Sequence, residues 1–273
     1  MVKRVPVDPI KYYDSVGELM LDFMVNRTTQ VIVQQSSGVR LIRSIEGKPI
    51  VINSINDLKS FVAQGGLDFM ASVKPIGSSN VDVLVADIKV KQVMFNAPEG
   101  YLIMHIASNA VRLGFEAVGI SNVLMYFDGM NGFKVFAKLN ENDTAELKNA
   151  SRLLRIIIDA AQRAMKRFSR FSGLMSNVTL GVNTLSKVKA FRVPLSIHWS
   201  TKLSAIPIPR FCVKNFSLMD AEPIRTMSNP SVYSFMRNLK PNSVNLTQLL
   251  ADEDYVLTYR IKAHILSGIR LEC

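Results

Sequence analysis

The segment VDVLVADIKV at 81–90 alternates like a strand and carries two charged side chains near its end. Because side chains alternate across a strand, Asp87 and Lys89 share one face. An acid at the end of a buried strand suits a catalytic carboxylate or a rigid metal ligand. Metal-dependent phosphoryl transfer usually needs at least two acids at such a place. The second position here is Lys89, so Asp87 is a candidate catalytic residue without the acid expected beside it.

A second group of polar side chains lies in the segment AFRVPLSIHWS at 190–200. If this segment is a strand, Arg192, Ser196 and His198 share a polar face opposite an apolar one. Guanidinium, hydroxyl and imidazole groups together are donors suited to a phosphate or triphosphate. The ordinary solvated face of a sheet would show the same pattern, and that alternative stays open.

A glycine-containing turn, DGMNG at 128–132, separates two apolar segments that predict a hairpin. Gly129 and Gly132 would allow the backbone to approach a ligand closely, although they would equally serve the turn itself. Lys134 follows on the second strand and adds a candidate phosphate-binding side chain beside the turn.

The charge of the chain favours a polyanionic partner. Thirty-three Lys and Arg against 22 Asp and Glu give a net charge of +11, a balance typical of proteins that bind nucleic acid. The segment 148–170 has the apolar spacing of an amphipathic helix. A basic cluster lies at its far end and consists of Arg163, Lys166, Arg167 and Arg170. We expect this cluster to contact DNA or RNA, with a solvated helix face as the alternative.

The elements that must position these residues follow one another from 81 to 200 as strand, helix, strand, strand, helix, strand. This order predicts an α+β fold with an RRM-like or ferredoxin-like βαββαβ core, whose open antiparallel or mixed sheet leaves one face uncovered. We expect a single composite domain over 1–273. It consists of an N-terminal αβ module at 1–80, the core at 81–215, and a C-terminal extension at 216–273 with a helix at 231–239 and a last strand.

Two classes of protein are disfavoured by the sequence. Its longest apolar runs are interrupted by charge well before the roughly 18 residues that a membrane span requires. The first residues, MVKRVPVDPIKYYD, lack the apolar centre of a signal peptide. We therefore expect a cytoplasmic protein without a membrane partner.

Taken in order, these motifs resemble those of the archaeo-eukaryotic primases, which include primase small subunits and the polymerase domains of bacterial end-joining ligases. The resemblance covers roughly 30–215, and its most specific part is the pattern R-x-P-x-S-x-H. The matching residues are Asp87, Gly129, Gly132, Phe133, Val135, Arg192, Pro194, Ser196 and His198. The resemblance implies a primase-like fold and assigns the turn glycines, Lys134, Arg192, Ser196 and His198 to the binding of nucleotide phosphates.

The chain departs from that family at the positions that hold metal. The resemblance places a second acid where Lys89 stands and a third acid where Ser186 stands, and it places a histidine at Lys134. With two of three carboxylates replaced, two-metal phosphoryl transfer should lose its scaffold. We therefore expect neither a bound metal nor another cofactor, and Mg²⁺ or Mn²⁺ only if the protein is an enzyme after all.

These features lead to one preferred function and two alternatives. The preferred function is a primase-small-subunit-like protein without catalytic activity that binds nucleotide, DNA or RNA as an accessory subunit of a primase or repair complex. The first alternative is a divergent but active primase or polymerase, in which Asp82 or Asp128 helps to rebuild a metal site. The second is a structural protein that binds a partner and whose basic charge is incidental.

Overall fold

The computed structural model describes residues 7–168, 172–182 and 190–271, without the side chains of Ser172 and Arg210. Its N-terminal part combines two helices with five strands. They are α1 (Pro9–Leu21), β1 (Arg27–Gln35), β2 (Gly38–Ile42), β3 (Ser44–Ile45), β4 (Lys48–Val51), α2 (Ile55–Ala63) and β5 (Gly66–Pro75).

Local contacts define two elements of this module. Strands β1 and β2 form a hairpin in which Gln35 lies opposite Gly38. Helix α2 begins with a capping box: the Asp57 N–H donates to Ser54 Oγ over 3.1 Å, and the Ser54 N–H donates to Asp57 Oδ2 over 2.9 Å. These two bonds satisfy backbone donors that would otherwise be unpaired at the helix start.

The central part contains the predicted βαββαβ core. Its elements are β6 (Asn80–Val81), β7 (Val83–Val90), α3 (Pro98–Glu116), β8 (Val123–Phe127), β9 (Gly132–Lys138), β10 (Ala145–Glu146), α4 (Leu147–Met165), α5 (Ser172–Met175) and β11 (Val178–Val182). Four of these strands form an antiparallel sheet in the order β11-β7-β9-β8. This is the ferredoxin-like strand order, so the α+β fold class is confirmed.

The position of the fourth strand differs from the prediction. We expected it at 190–200, but β11 fills this place, and only β12 (Ala190–Arg192) of that segment is a strand. Strand β12 pairs with β5 and so belongs to the N-terminal sheet. The chain then leaves strand geometry, because Pro194 has no N–H to donate and Leu195 has a φ of +69°. Arg192, Ser196 and His198 therefore do not share a strand face.

The two faces of the central sheet have different coverings. Helices α3 and α4 pack on one face with apolar residues such as Ile106 and Ile157. On the other face, the Phe136 ring contacts Phe23 and Phe191 of the N-terminal part, each with 5.2 Å between ring centroids. The N-terminal part thus covers one end of this second face, and the opposite end carries Asp87.

The C-terminal part contains four helices: α6 (Pro223–Met227), α7 (Pro230–Arg237), α8 (Leu246–Leu249) and α9 (Asp254–Gly268). Helix α7 matches the helix predicted at 231–239. The last strand that we expected is wrong, because this segment forms α9, whose Leu257, Ile261 and Ile265 are fully buried. Their four-residue spacing places them on the helix face that packs against α3 and α4. In the described part of the chain, no helix combines the length and apolarity needed to cross a membrane.

Candidate functional site

Asp87 and Lys134 form an ion pair across two neighbouring strands. They lie directly opposite one another on β7 and β9, and the Lys134 ammonium donates to Asp87 Oδ1. Both side chains are mostly buried, with exposed fractions of 13% for Asp87 and 11% for Lys134. The single acid of the first motif is therefore neutralised by a lysine of the same sheet.

The described strand positions next to Asp87 on β7 and β11 supply no further carboxylate. Lys89 lies two residues further along β7, is exposed, and pairs with Gly132 and Thr179 on the flanking strands. On β11, the residue opposite Asp87 is Gly181, and a Cβ added there would lie 3.9 Å from the Asp87 Cβ. Ser186, the third acid position implied by the resemblance, lies outside the described residues.

Arg192 is held by a carboxylate that the sequence analysis missed. Its Nε and Nη2 donate to the two carboxylate oxygens of Asp68 over 2.8 and 3.0 Å, and its Nη1 donates to the Asp128 backbone oxygen over 2.8 Å. Burial by itself would lower the pKa of Arg192, but the charge and hydrogen bonds of Asp68 outweigh it and raise that pKa. The sequence signal for this contact was an acid, Asp68, inside the otherwise apolar segment GLDFMASV. Arg192 is thus engaged within the protein.

The turn at 128–132 is organised by the Asp128 carboxylate. Its Oδ1 accepts the backbone N–H groups of Met130, Asn131 and Gly132 at 2.9 to 3.1 Å. Gly129 has a φ of +82°, and an added Cβ there would lie 3.0 Å from the Leu203 backbone oxygen. At Gly132, an added Cβ would lie 2.6 Å from the Ile88 backbone oxygen. Turn geometry and packing therefore account for both glycines without a ligand.

Ser196 and His198 lie in the turn that follows β12 and are nearly inaccessible, with exposed fractions of 0% and 3%. Ser196 Oγ accepts the Phe69 N–H over 2.7 Å. His198 Nδ1 accepts the N–H groups of Ser200 and Thr201 over 3.3 and 3.2 Å, so Nδ1 carries no proton. Burial, followed by the charge of Arg192, lowers the pKa of His198. In this structure, both side chains hold the turn in place.

Tyr126 connects the Asp87–Lys134 and Asp68–Arg192 ion pairs, and it was not predicted from the sequence. It lies opposite Lys134 on β8, and its hydroxyl donates to the Arg192 backbone oxygen over 2.8 Å. Burial raises its pKa well above the usual value, and the nearby charges of Asp87 and Asp128 raise it further. The only available signal was a polar atom within the apolar segment VLMYF. The Asp87–Lys134 and Asp68–Arg192 pairs are therefore parts of one site.

The inner part of this site is close to electrically neutral. The sequence motifs assign Lys89, Lys134, Arg192 and His198 to this site, which would be strongly positive if all four were charged and unpaired. However, Lys134 is paired with Asp87, Arg192 is paired with Asp68, and the lowered pKa of His198 favours its neutral form. Among the described residues, no carboxylate lies within ion-pair distance of Lys89. Lys89 is thus an accessible positive charge at this site, as is Lys202 in the turn that carries His198.

The described residues do not fit a pair of divalent cations. They contain no group of three His, Cys, Asp or Glu side chains placed to hold a metal ion. The Lys134 ammonium already occupies one oxygen of Asp87, and a cation brought beside it would meet like charge.

The basic cluster lies at the same end of the sheet as Lys89 but on the helix side. Arg163 forms an i,i+4 ion pair with Asp159 over 2.9 Å, whereas Lys166 and Arg167 are exposed at the end of α4. Lys166 also lines an apolar pocket of about 290 Å³ between α4, α5 and β11. Arg170 lies outside the described residues.

Comparison with known proteins identifies a similar fold. No protein-family profile and no curated protein sequence matches the chain. Among solved structures, the chain is similar to the polymerase domain of Mycobacterium tuberculosis Ligase D in complex with DNA. The TM-score is 0.57 with 17% sequence identity, and the match covers 94% of this chain and 91% of that chain. The chain therefore has the fold of this polymerase domain.

Proposed function

We propose that this protein is a primase-like nucleic-acid-binding protein that does not catalyse nucleotide transfer and that serves as an accessory subunit in DNA replication or repair. The observation that carries the proposal is the bond between the Lys134 ammonium and the Asp87 carboxylate. In a two-metal mechanism, the cations lie about 3.5 to 4 Å apart and stabilise the attacking and leaving oxygens. Here the acid that would hold them is bonded to a lysine, with Lys89 and Gly181 at the adjacent positions.

Binding to nucleic acid is supported by charge and by fold. The chain carries a net charge of +11, and the polymerase domain with the similar fold was solved in complex with DNA. Lys89, Lys166 and Arg167 are exposed at one end of the central sheet, so these three side chains are available to phosphates. Lys134 and Arg192 are engaged internally, and we assign them to the architecture of the site.

Binding of labelled oligonucleotides between about 50 and 200 mM salt tests this function. On single strands, log K should fall with log salt by about 0.7 for each phosphate contact, and on duplex by about 0.9. The triple variant Lys89→Gln, Lys166→Gln, Arg167→Gln should have weaker affinity and a smaller slope. Lys59→Gln is the matched control, because Lys59 is exposed on α2 and pairs with Asp14. Binding that does not change with salt would favour a structural partner-binding protein.

A divergent enzyme is the second candidate, and one observation favours it. The carboxylates of Asp87 and Asp128 each lie near Tyr126, and the charge of each raises the Tyr126 pKa. Primer synthesis and extension assays with Mg²⁺ or Mn²⁺ separate the two functions. We expect no incorporation of nucleotides by the unmodified protein. Template-directed synthesis that disappears in the Asp87→Ala variant would establish the enzyme instead.

A further inference from the structure

Trp199 is an exposed aromatic side chain at the end of a buried segment. It is the only tryptophan of the chain, and 37% of it is exposed, whereas its neighbours Ile197 and His198 are each 3% exposed. A large aromatic ring that remains accessible beside a buried polar site is a candidate ligand contact.

The backbone that carries Trp199 is held from several directions. Asp68 Oδ2, which also binds Arg192, accepts the Trp199 N–H over 3.4 Å. On either side, the His198 N–H donates to the Leu203 backbone oxygen over 2.8 Å, and the Thr201 hydroxyl donates to the Gly129 backbone oxygen. The backbone that carries the indole is therefore fixed, so little backbone entropy is lost when a ligand stacks on the ring.

The surroundings of Trp199 indicate the kind of ligand. Its turn packs against the turn at 128–132, where Met130 is 46% exposed. Asp68 and Arg192 link it through Tyr126 to the strand that carries Lys134. The inner site is electrically compensated by its ion pairs and offers little to a free phosphate. Lys202, in the same turn as Trp199, is exposed. An accessible aromatic ring near an exposed cation suits an unpaired base with its backbone.

We propose that Trp199 is a stacking platform for a base of single-stranded nucleic acid that enters the site. This inference rests on the proposed function and specifies its substrate as a single strand, because bases of a duplex are already stacked on one another. The contact is sequence-tolerant, since every base presents a π face. Met130 would lie against the same unpaired segment.

The tryptophan itself reports on this contact. Titration with a 12-residue oligothymidylate should quench the fluorescence of Trp199, whereas a hairpin duplex and inorganic pyrophosphate should leave it unchanged. Trp199→Ala should weaken binding of the oligothymidylate by about 5- to 140-fold, which corresponds to the loss of one base–aromatic stack. Trp199→Phe keeps an aromatic ring and should remain within about threefold of the unmodified protein. Tyr255→Ala is the control, because Tyr255 is 72% exposed on α9, a helix that packs on α3 and α4.

The fluorescence anisotropy of a labelled oligonucleotide, followed in the same titration, distinguishes failure of the stacking contact from failure of the proposed function. Salt-dependent binding with unchanged tryptophan fluorescence, or with Trp199→Ala binding as tightly as the unmodified protein, would overturn the stacking contact and leave the proposed function standing. Absence of any binding would overturn both. The fluorescence measurement uses the unmodified protein, so its result does not depend on whether Trp199→Ala folds.

Discussion

Lys134 lies directly opposite Asp87 on the neighbouring strand, and its ammonium is bonded to the Asp87 carboxylate. The pair is mostly buried, so each charge depends on the other for the stabilisation that water would otherwise provide. This single contact engages Oδ1 of the acid of the first motif.

Removing the lysine should expose that dependence. We expect Lys134→Met to lower the free energy of unfolding by about 3 kcal/mol, because Asp87 is left as an uncompensated charge. The double variant Lys134→Met, Asp87→Leu should recover most of that loss, since no charge then remains unpaired. Urea denaturation measures both values. A single variant as stable as the unmodified protein would show that the pair is solvated in solution.

Loss of one partner of the Asp68–Arg192 pair should lower the free energy of unfolding still more, because Asp68 is fully buried. We expect Arg192→Met to cost about 3–5 kcal/mol of unfolding free energy, and Arg192→Lys to recover only part of it because an ammonium cannot make the two-pronged bond. Lys59→Met, which breaks an exposed ion pair with Asp14, should cost at most about 1 kcal/mol. Equal costs at the two sites in urea denaturation would contradict this ranking.

Restoring acids should restore metal affinity before activity. In the triple variant Lys89→Asp, Lys134→His, Gly181→Asp, three carboxylates would be present on β7 and β11, and the lysine would no longer neutralise Asp87. Position 181 accepts the change because the new Cβ makes only ordinary contact with Asp87. We expect Mn²⁺ binding by calorimetry in this variant and none in the unmodified protein.

A matched triple variant with Ser186→Asp in place of Gly181→Asp tests the position implied by motif spacing. The variant that binds Mn²⁺ more tightly identifies the third ligand position. If neither variant binds Mn²⁺, the ion pair is not what removed the metal site.

His198 should make the protein less stable in mild acid. Its pKa in the folded state is lowered by burial and by Arg192, whereas the unfolded chain has the ordinary histidine value of about 6.5. As the pH falls below that value, the unfolded state takes up a proton that the folded state resists, so stability is lost. His198→Asn, which keeps an acceptor near Nδ1, should therefore show a smaller decrease in melting temperature between pH 7.5 and 5.5. His105 also has a lowered pKa. Because it is present in the unmodified protein and in the His198→Asn variant, its contribution to the acid sensitivity cancels in the comparison. An unchanged decrease in His198→Asn would assign the acid sensitivity elsewhere.

Local patterns in the sequence determined most of the core. The alternation of side chains in β7 placed Asp87 and Lys89 on one face of that strand. The hairpin pattern placed Lys134 on the strand that follows the turn. The cap at Ser54 and the apolar spacing of α4 likewise fixed helices that the structure contains. These features were predictable because each depends on residues within a few positions of one another.

The tertiary structure decided which strands are neighbours and which charges meet. Arg192 binds Asp68 across 124 residues of sequence, and β12 pairs with the N-terminal sheet although its residues looked like the last strand of the core. Helix α9 contains residues with strand propensity, yet packing of Leu257, Ile261 and Ile265 against α3 and α4 makes it helical. The sequence indicated Lys134 and Arg192 as cations of the site, but their compensation by Asp87 and Asp68 depends on long-range contacts. The energy of a charge is set by the groups that folding brings beside it.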